Sequence, residues 1–172
     1  LQPAATPFVQ AREGAGPRTV AFHPRMALAY VANELDSTLT TYAFDAATGA
    51  LTPLHLLPTL PASFTGNSRA AGIAIDPAGQ TLYVSNRGHD SVARFHLDAK
   101  SGLPRFMDAV STEGRTPRFF TLSPSGRWLY ALNEDSDSIV PFAVQSDGRL
   151  ERQGDATHCG SPVCMVFSPG VA

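Results

Sequence analysis

The chain has 172 residues, 43% hydrophobic and 16% charged, with a formal charge of -2 and a pI near 6.2. These values suit one ordinary hydrophobic core and exclude a disordered chain, a coiled coil and an electrostatic surface for nucleic acid. No apolar run nears the roughly 18 residues of a membrane-spanning helix, so no membrane role is expected.

Residues 1–10, "LQPAATPFVQ", read as the outer strand of a preceding unit. A cytoplasmic location is expected, and the start at Leu1 leaves room for a removed leader. Three mutually similar units follow: 17–60, 70–112 and 117–158. Their turn prolines Pro24, Pro77 and Pro124, with Pro169 after them, are 53, 47 and 45 residues apart, and the extra loop "PASFTGNSRA" accounts for the longer first interval. In each unit an apolar run ends at the Pro turn and a Leu-Tyr run or its equivalent ends at Asn. A β-branched and aromatic run then follows Asp-Ser, and a Gly turn (Gly49, Gly102, Gly148) leads to a weaker fourth run.

Four short antiparallel strands repeated at this spacing specify an all-β fold, a β-propeller whose blades are these units. The Gly-Gly doublets of kelch units and the Gly-His and Trp-Asp pairs of WD units are absent. Pro141 falls inside a third strand, which requires a bulge or strand end there. Residues 162–168 read as the inner strand of a closing blade with no partners in this chain, so about half of a ring is covered. The missing N-terminal half is expected from the same native chain, because two copies of this one would each leave a blade without its middle strands. Cys159 and Cys164 fit no zinc or disulfide pattern and are expected to be buried free thiols.

The first strand of each unit starts at the hairpin end where the second finishes. Arg18 and Glu34 should therefore face each other, as should Arg118 and Glu134; both pairs are separated by 16 residues. In the middle unit Arg87 takes the place of Glu34, and Ala71 that of Arg18. Arg87 is thus expected to point toward the ring axis without a partner in its own blade. Arg18, Arg87 and Arg118 form the candidate anion-binding cluster, with Glu34 as acid or base and Glu134 and His89 beside the substrate.

Asn33, Asn86 and Asn133, with the pairs Asp36-Ser37, Asp90-Ser91 and Asp137-Ser138, recur in every unit and read as turn-formers. His23 reads as structural, and His55, His96 and His158 fall in outer strands. No Gly-x-Ser-x-Gly elbow, Walker loop, His-x-x-x-His pair or acidic calcium loop is present, so neither serine chemistry, a metal nor a cofactor is expected.

The stretches "GPRTVAFHP", "YVANELDST", "YVSNRGHDS", "TPRFFTLSPSGRWLYALNEDSDSI" and "GSPVCMVF" resemble the C-terminal half of the lactonase family of seven-bladed propellers. That family includes the bacterial propeller-type 6-phosphogluconolactonase and the fungal carboxy-muconate lactonizing enzyme. The resemblance implies that Arg18, Glu34 and Arg87 line an active-site cleft and that a further histidine lies before Leu1. Thr19 stands where the family often has a second histidine. The implied partner is a small anionic lactone or carboxylate. Hydrolysis of a sugar lactone such as 6-phosphogluconolactone ranks first, carboxy-muconate cyclisation second, and a non-catalytic binding propeller third.

Overall fold

The computed structural model describes residues 6–168. Blade one is β1 (Pro17–Phe22), β2 (Leu28–Asn33), β3 (Thr38–Phe44) and β4 (Leu51–Pro58), paired in chain order. Blade two repeats this with β5 (Arg69–Ile75), β6 (Thr81–Arg87), β7 (Ser91–Leu97) and β8 (Pro104–Ser111). Blade three has β9 (Pro117–Leu122), β10 (Trp128–Asn133) and β11 (Ser138–Val144), then an outer strand split into β12 (Leu150–Arg152) and β13 (Thr157–His158). All pairings are antiparallel.

The turn after the second strand is the same in each blade, because one residue takes a left-handed φ: Ser37 at 50°, Asp90 at 53° and Asp137 at 51°. The sequence alignment of Asp36-Ser37 with the other two Asp-Ser pairs is off by one. The registers Asn33↔Thr38, Asn86↔Ser91 and Asn133↔Ser138 equate Ser37 with the two aspartates. Asp and Asn tolerate this conformation, and the short side chain can bond locally. Asp90 does so, accepting from the backbone N–H groups of Gly88 and, in blade three, Thr116.

The core lies between the sheets. Leu28, Tyr30, Ala32 and Leu39 of blade one meet Leu82, Val84, Phe95 and Leu97 of blade two. Tyr83 and Val92 of blade two meet Phe120, Leu129, Val140 and Phe142 of blade three. Polar clasps repeat across these seams. The Tyr30 hydroxyl donates to the Gly102 carbonyl of blade two at 2.7 Å, and Tyr83 does the same to Gly148 of blade three at 2.7 Å. Burial pushes the Tyr30 phenol up to about 12, keeping it a neutral donor. Asn86 exchanges hydrogen bonds with Thr59 at the end of the preceding blade, and Asn133 donates to the Thr112 carbonyl. These asparagines therefore bind blades together as well as sitting at turns.

Three expectations change. Residues 6–10 form no strand, and residues 1–5, like Pro169, lie outside the described residues. Residues 162–168 join no ladder, since an isolated strand has no partner for its backbone groups, and Cys159 and Cys164 beside them are exposed rather than buried. Pro141 lies inside the continuous strand β11, and it is the outer strand facing it that breaks, into β12 and β13. Register shifts mark the equivalent positions of the other blades, at Thr41/Tyr42 and Arg94/Phe95, so the proline occupies a site where the outer ladder is already irregular.

Tyr130 is the third copy of the clasping tyrosine, yet among the described residues its hydroxyl makes no hydrogen bond, and its ring lies 5.9 Å from that of Phe167. Urea unfolding should therefore show Tyr83→Phe less stable by about 1–2 kcal/mol, and Tyr130→Phe changed by less than about 0.5 kcal/mol.

Candidate functional site

Glu34 follows β2 at the end of the sheets away from the proline turns, and it is the anion on which three guanidiniums converge. Arg18, across the β1–β2 hairpin, places Nε 3.1 Å from Oε2. Arg87, from blade two, places Nη2 2.6 Å from Oε1. Arg69, also from blade two, reaches the same Oε1 at 4.0 Å. Arg87 does lack an acid in its own blade, as the broken repeat indicated, but it finds one across the seam in blade one.

The side chains of Arg87 and Glu34 are only 13% and 24% exposed. Nε of Arg87 is buried and makes no hydrogen bond among the described residues, and the buried Nη2 meets Glu34 alone, as a close ion pair. Burial alone would raise the Glu34 pKa. Arg87, through contact and charge, then Arg18 and Arg69 outweigh it and hold the carboxyl below the usual glutamate range. The Arg18 pKa is lowered, by burial first and then by repulsion from Arg87, with Arg118 adding to it against the pull of Glu34. The mouth thus carries crowded positive charge.

A cleft of about 600 Å³ opens here, lined by Leu35, Asn67, Ser68, Arg69, Arg87 and Gly88. The extra loop forms one wall. Ser68 Oγ donates to the Arg87 carbonyl at 3.0 Å. Gly88 has φ +100°, and a Cβ there would lie 2.4 Å from the Asn67 carbonyl oxygen, so only glycine admits the loop this close to Arg87. His89 lies off the lining of this cleft. Its ring packs edge-on against Phe64 of the loop, centroids 4.7 Å apart, and Nδ1 is 2.7 Å from Ser91 Oγ. Arg118 and Glu134 form their own pair at 3.5 Å in blade three, also off the lining; Arg18 and Glu34 are off it too, and reach the cleft only through their ion pair with each other and those of Glu34 with Arg87 and Arg69.

Arg69 was not singled out in the sequence, where it precedes the aligned unit by one residue and matches Gly16 and Thr116 of the other blades. The strand register Arg69↔Arg87 brings it to the site. Thr19, where the family often has histidine, turns instead to the seam and donates to the Ala71 carbonyl at 2.6 Å.

The 6-phosphogluconolactonase of Bacillus subtilis is 40% identical to this chain over 107 residues, which is 62% of this chain and 31% of that protein. Among solved structures, the periplasmic gluconolactonase of Pseudomonas aeruginosa superposes with a TM-score of 0.87 at 33% identity, over 94% of this chain and 45% of that one. A Lactobacillus plantarum protein gives 0.87 and 33%, over 91% of this chain and 46% of that one. The chain therefore spans under half the length of these relatives. The family described as "Lactonase, 7-bladed beta-propeller" matches residues 1–167, and the chain belongs to that family.

Proposed function

We propose that Arg18, Glu34 and Arg87 form one wall of a site that opens a sugar lactone, such as 6-phosphogluconolactone, by attack of water on the ring carbonyl. The observation that carries this reading is the buried Arg87 guanidinium at the cleft, whose Nε makes no hydrogen bond among the described residues and whose Nη2 meets only Glu34. Such donors favour a ligand that brings an acceptor. The names of the Bacillus and Pseudomonas relatives support the choice of lactone chemistry.

As water adds, the carbonyl oxygen gains negative charge, and guanidinium donors already in place stabilise it. Arg87 fills that role from within the seam, and Arg18 supports the same charge. The tetrahedral centre then expels the ring oxygen, which takes a proton and leaves as a hydroxyl group, giving the open hydroxy acid. Glu34 is held ionised and is a weak proton acceptor, so its part is to fix and partly neutralise the guanidiniums. The stronger base belongs to blades outside these residues. The exposed apolar residues Val20, Phe22 and Leu54 of blade one, each about half exposed, suit the packing of a further blade of the family's seven-bladed ring.

In the full-length protein, Arg87→Ala should lower kcat/KM for 6-phosphogluconolactone about 100-fold, and Arg87→Lys should restore only part of it because the fork is lost. Circular dichroism on both variants separates this from unfolding. Wild-type turnover by a folded Arg87→Ala protein would remove Arg87 from the site, and turnover of carboxy-muconate alone would move the protein to the cyclising branch.

Glu34 has a lowered folded-state pKa, so its ionisation stabilises the fold fully above the unfolded value of about 4.3 and ceases to do so as pH falls through the lower folded value. Glu34→Gln should be less stable than wild type in thermal melts at pH 7, and the gap should narrow at pH 3. A gap that stays constant would show that the carboxylate charge is not what matters.

A further inference from the structure

Blades one and two are joined by a longer connection than blades two and three: it runs from Pro58 to Arg69, against Ser111 to Pro117. The added residues are not a loose insertion. Thr59 is locked to Asn86 by two hydrogen bonds. Phe64 turns back on Pro61, its N–H donating to that carbonyl at 3.0 Å, and packs on His89. Asn67 lies against Gly88, and Ser68 bonds the Arg87 carbonyl. The chain leaves this braced loop at Arg69, directly opposite Arg87.

Arg69 differs from its neighbours in how it is held. Its side chain is 64% exposed, against 13% for Arg87, and its distance to Glu34 is 4.0 Å, beyond a hydrogen bond. Glu34 already serves Arg18 with one oxygen and Arg87 with the other. Arg69 is thus the guanidinium of the three that has no anion close to it, carried on a fixed backbone at the rim of the 600 Å³ cleft. Three arginines against one glutamate leave two positive charges in excess, which matches a dianion.

We infer that Arg69 is the specificity-determining residue of the site: it receives the phosphate monoester that the substrate carries away from its reacting carbonyl, while Arg87 and Arg18 stay with the carbonyl. This rests on the lactone reading above. The division follows from depth, since the buried Arg87 nitrogens suit the reacting centre and the exposed Arg69 fork reaches a group near solvent. A guanidinium takes two phosphate oxygens in parallel, which lysine cannot reproduce.

The test compares 6-phosphogluconolactone with unphosphorylated gluconolactone in the full-length protein, for wild type, Arg69→Ala, Arg69→Lys and Arg87→Ala. Arg69→Ala should lower the preference for the phosphorylated lactone about tenfold or more, through KM rather than kcat, with Arg69→Lys in between. Arg87→Ala should instead depress kcat for both lactones. A wild-type preference that survives Arg69→Ala would overturn the assignment of Arg69 and leave the lactone reading standing. Equal use of both lactones by wild type would overturn it as well. Turnover of neither would overturn the lactone reading and Arg69's role with it.

Discussion

A four-stranded sheet that must bury both faces depends on its neighbours, and the seams between blades are where this chain places its large side chains. Tyr30 and Tyr83 are fully buried, each with its hydroxyl on a glycine carbonyl of the next blade. A tyrosine reaching a hairpin turn in that way fixes rotation and depth together, because the ring must fill its slot and the hydroxyl must find one oxygen. The Asn86–Thr59 and Asn133–Thr112 clasps act at the opposite end of the sheets, so each seam is held at both ends.

The candidate site is a consequence of that arrangement. Glu34 comes from one blade and Arg87 from the next, and the seam holds their side chains in a partly dry environment where charge interactions are strengthened. Neither blade contains the site alone. A rigid seam also keeps the Arg87 donors in place before a ligand arrives, which matters because a donor that must first reorganise contributes less to stabilising developing charge. The extra loop adds a third wall to the same seam, braced by Gly88, which a side chain would push away from Asn67.

The blades, their four strands and the hairpin pairs Arg18–Glu34 and Arg118–Glu134 were legible because they are local and repeat. Arg87 stood out in the sequence because it breaks the repeat, and its lack of an acid in its own blade was legible for the same reason. Its partner was not, since a contact between units leaves no spacing signature within either unit. Arg69 was hidden for a related reason: it stands where the other blades carry Gly16 and Thr116, and only the register opposite Arg87 gives it meaning. His89 looked available in the sequence, and Phe64, brought against it by the extra loop, packs on its ring at a near right angle. The exposed cysteines follow from residues 162–168 having no sheet to join within the described chain.

Arg87 holds a buried guanidinium at the seam of blades one and two, where an anionic centre would meet it. The most direct measurement is the arginine Nε–Hε NMR spectrum of the protein, recorded as 6-phosphogluconate is added. The Arg87 signal should shift saturably and its proton exchange more slowly with water, with a smaller shift at Arg18. An unchanged Arg87 signal, with shifts confined to exposed arginines such as Arg115 and Arg149, would contradict it.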